Sequence, residues 1–159
     1  NDAGKLIYSL LPKRLQNRNP KISTIGRLDI DTSGIILLTN DGELNHALTS
    51  PKKDIKKIYE VGLKEKLKGD EKEIFESSNI ILKNEEKALK PAFLEVINEK
   101  LVYLTIVEGK YHQVKRMFAY VNNRVESLHR VEFAGFRLDG LKEGEFRIIE
   151  DFDIKSFKM

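Results

Sequence analysis

The chain has 159 residues, 28 Lys and Arg against 25 Asp and Glu, and no cysteine. The missing thiols exclude disulfides, thiolate catalysis and cysteine-ligated zinc, and no apolar run is long enough to predict a transmembrane helix. The length suggests one domain over residues 1–159, with a net charge of +3 that is compatible with RNA binding without indicating it. No signal-peptide pattern begins the sequence, so we expect a cytoplasmic protein.

The first third of the chain is predicted to hold two helices around one buried strand. Residues 2–11 have the apolar spacing of a short amphipathic helix, with Pro12 as its end. Residues 14–21 are expected to form a basic loop. The apolar run at 34–38 predicts a buried strand, and residues 42–50 predict a helix directly after it.

The rest of the chain is predicted to form hairpin-linked strands with two more helices. The helices are expected at residues 70–78 and 111–121, and the strands at 58–63, 92–98, 101–107, 124–138 and 145–149. Together the elements predict an α+β fold, a mixed and mostly antiparallel sheet flanked by helices.

The most informative segment is residues 26–34, with the sequence GRLDIDTSG. It places two carboxylates, a guanidinium and two hydroxyls beside a predicted buried strand, and a rigid apolar element is what holds the polar groups of a site in place. Asp31 and Ser33 suit a turn, which is the interpretation we favour for them. Asp29 is instead a candidate functional carboxylate.

Paired carboxylates of this kind also occur in calcium-binding loops and in hydrolases. A calcium-binding loop beginning at Asp29 fails at its twelfth position, where Asn40 replaces the bidentate Glu. A metal- or sugar-active hydrolase built on Asp29 and Asp31 stays open as an alternative, although no apolar pocket for an acid of raised pKa is evident. The spacing of the three histidines fits no metal motif.

Two basic segments each lie beside an aromatic residue, which favours a nucleic-acid groove over ordinary solvated surface. Lys56 and Lys57 end a lysine run just before Tyr59. That tyrosine is either a core residue of its strand or a stacking surface for an unstacked base. Lys115, next to an apolar position of the late helix, is expected to need a carboxylate partner, and Asp29 is a natural one.

Motifs of one enzyme family occur in order along nearly the whole chain: residues 26–52, Lys57-x-Tyr59-x-Val61, Lys90-Pro91-Ala92, residues 108–118 and Leu128-His129-Arg130. By these motifs the chain resembles the RsuA/RluB/RluE/RluF family of ribosomal RNA pseudouridine synthases, and YHQVKRMF at 111–118 is most similar to its small-subunit branch. The resemblance implies the pseudouridine synthase catalytic fold. It also implies isomerisation of a uridine in ribosomal RNA, most similar to the 16S enzymes, without a cofactor or a metal.

The same resemblance implies roles for individual residues. Asp29 would be the nucleophile that attacks C1′ of the ribose, or would abstract a ribose proton, so that one hard exchange is divided into two steps. Tyr59 would stack on the uracil after it has left its helix. Lys115 would pair with Asp29, with Arg116 as a second candidate for that pair. The expected RNA-binding residues are Arg27, Lys56, Lys57, His112, Gln113, Arg116 and Arg130.

One departure from the family pattern concerns the start of the chain. Family members begin with a small S4-type RNA-binding domain and a first catalytic strand containing Asn-Lys-Pro-x-Gly, and this sequence contains neither. We therefore expect a monomeric catalytic-domain fragment that binds ribosomal RNA, free or in a partly assembled subunit, less tightly than its parent. A large-subunit 23S rRNA synthase of the same family and a non-catalytic RNA-binding domain stay open as alternatives.

Overall fold

Eight strands and four α-helices make up residues 7–149, the part of the chain that the computed structural model describes. The helices are α1 (Lys13–Gln16), α2 (Gly42–Thr49), α3 (Glu71–Glu76) and α4 (Gln113–Tyr120), with 3₁₀ turns at Ile7–Leu10 and Pro51–Lys53. The strands are β1 (Ser23–Ile25), β2 (Ser33–Gly34), β3 (Leu37–Thr39), β4 (Lys57–Leu63), β5 (Phe93–Asn98), β6 (Leu101–Ile106), β7 (Val125–Phe133) and β8 (Phe136–Arg137).

Six of the strands form one sheet in the order β2–β7–β4–β6–β5, with β8 added to β7. Only the pairing of β2 with β7 is parallel; the others described in this sheet are antiparallel. Strands β1 and β3 pair separately as a two-stranded antiparallel sheet. The predicted α+β class, with a mixed and mostly antiparallel sheet, is confirmed.

Two apolar cores lie on this framework. The larger is built from alternate residues of β4, β5 and β6, which share one face of the sheet, and from α3 and α4 packed on that face. Phe75 of α3 and Phe118 of α4 meet edge to face there, with ring centroids 5.2 Å apart. The smaller core joins β1, β3 and α2, and it reaches Phe133 at the end of β7. Strand β7 therefore connects the small sheet to the large one.

The single strand predicted at residues 34–38 is wrong, because this stretch contributes to two sheets. Gly34 ends β2 beside β7, and β3 begins at Leu37 beside β1. Between them the Ile35 amide donates to the Arg130 carbonyl at 2.9 Å. Gly34 has a φ of +117°, and a Cβ there would lie 2.2 Å from the Arg130 carbonyl oxygen, so this close approach requires glycine. Apolar character alone does not reveal such a change of sheet.

The first predicted helix also differs from the structure. Its described part, after residues 2–6 that lie outside the described range, is only the 3₁₀ turn at Ile7–Leu10. Pro12 is the residue directly before α1. Proline suits the start of a helix, because the backbone amides there have no hydrogen-bond acceptor within the helix. The stretch expected to be a basic loop at 14–21 therefore begins within α1.

Near the other end, the predicted strand at 124–138 is two strands joined by a tight turn. Ala134 and Gly135 both have positive φ, which reverses the chain between β7 and β8. Residues 145–149 form no strand. The predicted helices and strands between residues 42 and 121 are confirmed within two residues at each end. That residues 1–159 form one domain stays a prediction.

Candidate active site

Asp29 lies in the loop between β1 and β2, where the backbone makes a turn. The Asp29 carbonyl accepts a hydrogen bond from the Thr32 amide at 2.9 Å. Strand β2 follows at once, pairing Ser33 with His129 of β7, and the Ser33 hydroxyl lies 2.7 Å from Nδ1 of that histidine. The turn and the parallel pairing together hold the Asp29 carboxylate at the β2 edge of the sheet.

The first residues of α4 face this turn. His112, the residue before the helix, has a φ of +47°, which is uncommon for a residue other than glycine. Its side chain makes no capping hydrogen bond. Instead Nε2 lies 3.6 Å from Oδ2 of Asp29, and the imidazole stacks on the Tyr111 ring with centroids 3.9 Å apart. A strained backbone here coincides with a contact to the candidate nucleophile, as is common at functional positions.

Lys115, one turn along α4, is shared by two carboxylates. Its Nζ lies 3.6 Å from Oδ2 of Asp29, which supports the expected pairing. The closer partner is Asp31, whose two oxygens accept hydrogen bonds from the same nitrogen at 2.9 and 3.0 Å. The interpretation of Asp31 as only a turn residue is therefore incomplete, because its carboxylate is part of the site.

Arg116 has different partners. Its guanidinium donates to Glu85 at 3.1 Å and to the Tyr111 carbonyl at 2.8 Å. Of the two cations that the sequence offered as partners of Asp29, the structure brings Lys115 to it and directs Arg116 to Glu85.

The shared cation shifts the pKa values of its partners. The hydrogen bond from Lys115 lowers the pKa of Asp31, and the charge of Lys115 acts in the same direction against the opposing effect of burial. The hydrogen bond with Asp31 in turn raises the pKa of Lys115, with further support from the charge of Asp29. The ammonium therefore stays charged beside Asp29 over the whole neutral range.

Tyr59 and Arg130 lie side by side across the centre of the sheet. Tyr59 of β4 pairs with Arg130 of β7, which also pairs with Gly34 of β2, so these three residues form one row across three strands. The register shifts between Ile58 and Tyr59, because β7 has one extra residue there. Such bulges re-aim side chains and are frequent next to active sites. One member of this row, Gly34, lies five residues after Asp29 in the chain.

Arg130 is a buried cation, with only 2 % of its surface exposed. Its Nε donates to the Ile35 carbonyl at 3.0 Å, and its guanidinium carbon lies 4.6 Å from the centroid of the Phe133 ring. Nη2 has no hydrogen-bond partner among the described residues. Burial lowers the pKa of Arg130, while its interaction with Tyr59 favours the charged form.

A second buried network supports the start of α4 from within. Lys57 donates to the Glu108 carbonyl at 3.1 Å, and burial together with the nearby charge of Arg130 lowers its pKa. The Glu108 carboxylate accepts from the Lys90 amide at 3.1 Å and from the Gln113 side chain at 3.2 Å. Gln113 in turn accepts from the Lys110 amide at 3.1 Å. These bonds fix the backbone that leads into the helix.

The seven expected RNA-binding residues differ in exposure. Lys57 and Arg116 are partly buried and bonded to Glu108 and Glu85, respectively. Arg27 and Lys56 are exposed, and His112 is partly exposed at the site. Gln113 and Arg130 are buried and face other protein groups, so their positions do not support the predicted direct contact with RNA.

The sequence-based prediction of the site omits three residues that the structure places there: Asp31, Glu108 and Tyr111. The spacing of Asp31, two residues after another acid at a turn, was a usable signal, because it places both carboxylates within reach of one cation. The buried hydrogen bonds of Glu108 and the stacking of Tyr111 join groups whose distances are set by the tertiary fold.

Residues 7–149 show neither a metal-binding cluster nor a membrane-spanning helix. No group of three or more His, Cys, Asp or Glu side chains in that range could hold a metal ion. No helix in the same range has the length and apolar character needed to span a membrane.

Comparison with known proteins gives a consistent result. The sequence profile of the family described as RNA pseudouridylate synthase matches residues 3–120. The ribosomal small subunit pseudouridine synthase A of Vibrio parahaemolyticus is 46 % identical over 143 residues, covering 86 % of this chain and 61 % of the relative. The protein of the same name from Escherichia coli K12 is 47 % identical over 137 residues, covering 86 % and 59 %. The chain thus spans about three fifths of the length of these curated relatives.

Solved structures give the same fold. A crystal structure of a pseudouridylate synthase superposes with a TM-score of 0.90 at 38 % identity, over 98 % of this chain and 66 % of the other. The archaeal box H/ACA sRNP Nop10–Cbf5 complex superposes at a TM-score of 0.55 and 16 % identity, over 82 % of this chain and 44 % of the other, a likeness of fold alone.

Proposed function

Because this chain belongs to the family of RNA pseudouridylate synthases, we propose that it converts a specific uridine of ribosomal RNA to pseudouridine. The observation that carries the proposal is the Asp29 carboxylate, accessible at the sheet edge and 3.6 Å from both the Lys115 ammonium and the His112 imidazole. Both groups are close enough to orient the carboxylate toward a ribose.

The reaction needs no cofactor, because it moves one bond within the same nucleotide. In the nucleophilic route, an Asp29 oxygen bonds to C1′ as the bond from C1′ to N1 of uracil breaks. The uracil leaves as an anion with the electron pair of the broken bond on N1, rotates, and bonds through C5 to C1′ as the Asp29 oxygen leaves. The proton on C5 then passes to a base while N1 gains a proton. Abstraction of a ribose proton by the same carboxylate is the other route. In both, Lys115 lies 3.6 Å from the carboxylate and holds its orientation.

Tyr59 and Arg130 are assigned supporting roles. The uridine must leave its stack before C1′ and C5 can both be reached. Tyr59 packs in the larger core with 9 % of its surface exposed, and it is assigned as the ring against which the detached uracil packs. The buried guanidinium of Arg130, paired with Tyr59 across the strands, holds that tyrosine in position. Arg27 and Lys56 are assigned to phosphates of the RNA, because both are exposed cations near the site in sequence.

The substrate proposed is small-subunit 16S rRNA. The support is the similarity to two enzymes named ribosomal small subunit pseudouridine synthase A, of which this chain spans about three fifths. We propose further that it acts in the cytoplasm and as a monomer. Sedimentation at micromolar concentration would test the monomeric state.

The proposal is tested by release of tritium from uridine labelled at C5. Transcripts of small-subunit and of large-subunit rRNA are incubated separately with the wild type, with Asp29→Asn and with Asp70→Asn. Asp70 is a matched control, because it is an exposed aspartate whose side chain makes no capping bond at α3. Sequencing of the product RNA then identifies the modified position.

The expected result is release from the small-subunit transcript by the wild type and by Asp70→Asn, and none by Asp29→Asn. Release of tritium from the large-subunit transcript alone would show that the substrate is 23S rRNA and not 16S rRNA. Binding of either transcript without any release would contradict the isomerase and favour an RNA-binding domain.

A further inference from the structure

The two most exposed large hydrophobic side chains among residues 7–149 both lie beside Asp29. Tyr111 is 74 % exposed and Ile30 is 69 % exposed. Single exposed apolar side chains are ordinary, but two around one candidate nucleophile form a local feature that the reaction described above does not use.

The contacts of neighbouring residues fix both side chains near that carboxylate. Ile30 occupies a corner of the turn from Asp29 to Thr32, and the acids before and after it both lie within 3.6 Å of the Lys115 nitrogen. Tyr111 stacks on His112, whose Nε2 lies 3.6 Å from Asp29. One apolar surface therefore comes from the catalytic loop and the other from the start of α4.

The backbone of Tyr111 is hydrogen-bonded and its exposed ring stacks on one neighbour. Its carbonyl accepts a hydrogen bond from Arg116, and its ring is nearly parallel to that of His112, with 16° between the planes. The amide of the preceding residue donates to the buried Gln113. These contacts restrict the ring before anything binds, which reduces the entropy lost on binding.

The exposed ring of Tyr111 indicates what binds there. Bases of single-stranded nucleic acid stack on such rings whatever their sequence. The nearby cations are each paired with a carboxylate, Lys110 and Arg116 with Glu85 and Lys115 with Asp31, so the ring rather than free positive charge carries the contact. Removal of a uridine from its stack also uncovers the faces of its two neighbours, and aromatic or branched apolar side chains commonly cover such faces.

We propose that Tyr111 and Ile30 bind the two nucleobases that flank the target uridine. Tyr111 stacks on one of them, and Ile30 occupies the space that the uridine leaves beside the other. The inference rests on the proposed function, which it extends by naming the groups that recognise the substrate outside the reacting nucleotide.

The test combines substitutions in the protein with removal of single bases from the RNA, and it measures binding affinity rather than turnover. The probe is a nine-nucleotide RNA with one uridine between two runs of four adenosines, and two further versions carry an abasic site on one or the other side of the uridine. Affinities are measured for the wild type, Tyr111→Ala and Tyr111→Phe. The matched control is Tyr120→Ala, a half-exposed tyrosine at the far end of the same helix.

Tyr111→Ala is expected to weaken binding of the intact RNA by about 5- to 100-fold, the range found for loss of one stacked base. Tyr111→Phe and Tyr120→Ala should stay within about twofold. One of the two abasic RNAs should lose the effect of Tyr111→Ala, because the base that the ring contacts is already absent. Ile30→Ala should behave in the same way toward the other abasic RNA, with the exposed Ile81→Ala as its control.

Equal affinities of Tyr111→Ala and Tyr120→Ala would overturn the inference, as would a loss that persists with both abasic RNAs. Either result leaves the proposed function intact, because that function is scored by tritium release from ribosomal RNA. Conversely, the effect of Tyr111→Ala could depend on one base while no tritium is released from ribosomal RNA. That result would support the binding surface and contradict the isomerase activity.

Discussion

Lys115 donates hydrogen bonds to both carboxylate oxygens of Asp31, at 2.9 and 3.0 Å, while the candidate nucleophile Asp29 lies 3.6 Å from the same nitrogen. Asp31 is thus the residue that holds the ammonium most closely. We infer that it positions Lys115 beside Asp29 and takes no direct part in the bond changes.

Asp31→Asn is expected to lower the rate of pseudouridine formation about tenfold, since the two hydrogen bonds from Lys115 lose their charged acceptor and Asp31 is largely exposed. RNA affinity should not change, because no proposed RNA contact is removed. The measurement is single-turnover tritium release together with a binding isotherm. A rate as low as that of Asp29→Asn would show instead that Asp31 is itself required for the chemistry.

Lys115→Met is expected to lower the same rate by about 10²- to 10³-fold, the usual effect of removing one preorganised charged donor from an active site. Lys115→Arg should recover part of the loss, because a guanidinium can also pair with both acids. The matched control is Lys72→Met, an exposed lysine of α3. Near-normal turnover by Lys115→Met would refute the pairing with Asp29 as a catalytic requirement.

The shifted pKa values of Asp31 and Lys115 predict how stability depends on pH. The pKa of Asp31 is lowered by folding, so its stabilising effect is present above the unfolded value of about 3.9 and is lost as pH falls through the lower folded value. The pKa of Lys115 is raised, so its effect is present below about 10.4 and is lost as pH rises through the higher folded value.

Urea unfolding of the wild type and of Asp31→Asn should therefore differ by a constant amount between about pH 5 and pH 9. The pair is partly solvated, so the difference should stay below about 1 kcal/mol. It should shrink as the pH falls below about 3.9 and through the lowered pKa of Asp31 in the folded protein. A difference that persists unchanged in acid would mean that the substitution acts through something other than this charge.

Gly34→Ala tests the close approach of β2 to β7. A methyl group there would meet the Arg130 carbonyl at 2.2 Å, and the residue has a φ of +117°. Gly140→Ala is the matched control, since that residue also has a positive φ but nothing lies within 4 Å of its Cβ position.

The control substitution should reduce the free energy of unfolding by about 1 kcal/mol, and Gly34→Ala by about 3 kcal/mol or more, because the clash adds to the strain. Gly34→Ala should also lose most activity, since the displaced strand carries the Asp29 turn. Equal losses for the two variants would contradict the close contact.

Lys56 and Lys57 are expected to behave differently despite being neighbours. Lys56 is exposed, so Lys56→Ala should reduce the slope of log affinity against log salt by about 0.7, the value for one phosphate contact with single-stranded RNA. Lys57 is partly buried and bonded to the Glu108 carbonyl, so Lys57→Met should lower the urea midpoint and leave the salt slope unchanged. A reduced slope for Lys57→Met would show that it reaches RNA after all.

Much of the framework could be predicted from residue spacing. Tyr59, Val61 and Leu63 alternate along β4 as a half-buried strand requires, and the apolar positions of α4 recur at helical intervals. The prediction of one strand at 34–38 was wrong, because this stretch passes from one sheet to another. Which sheet a short apolar run joins depends on partners that are distant in the chain.

The sequence by itself determined which groups are available here and roughly where they lie along the chain: the acids of the GRLDIDTSG segment, the cations of α4 and the tyrosine of β4. The tertiary structure decided which of them meet. It placed Asp31 rather than Asp29 closest to Lys115, turned Arg116 toward Glu85, and buried Arg130 beside Tyr59. The physical reason is that hydrogen bonds and ion pairs act over about 3 to 4 Å, whereas these partners lie 31 to 84 residues apart in sequence and only the packed sheet and helix fix their distances.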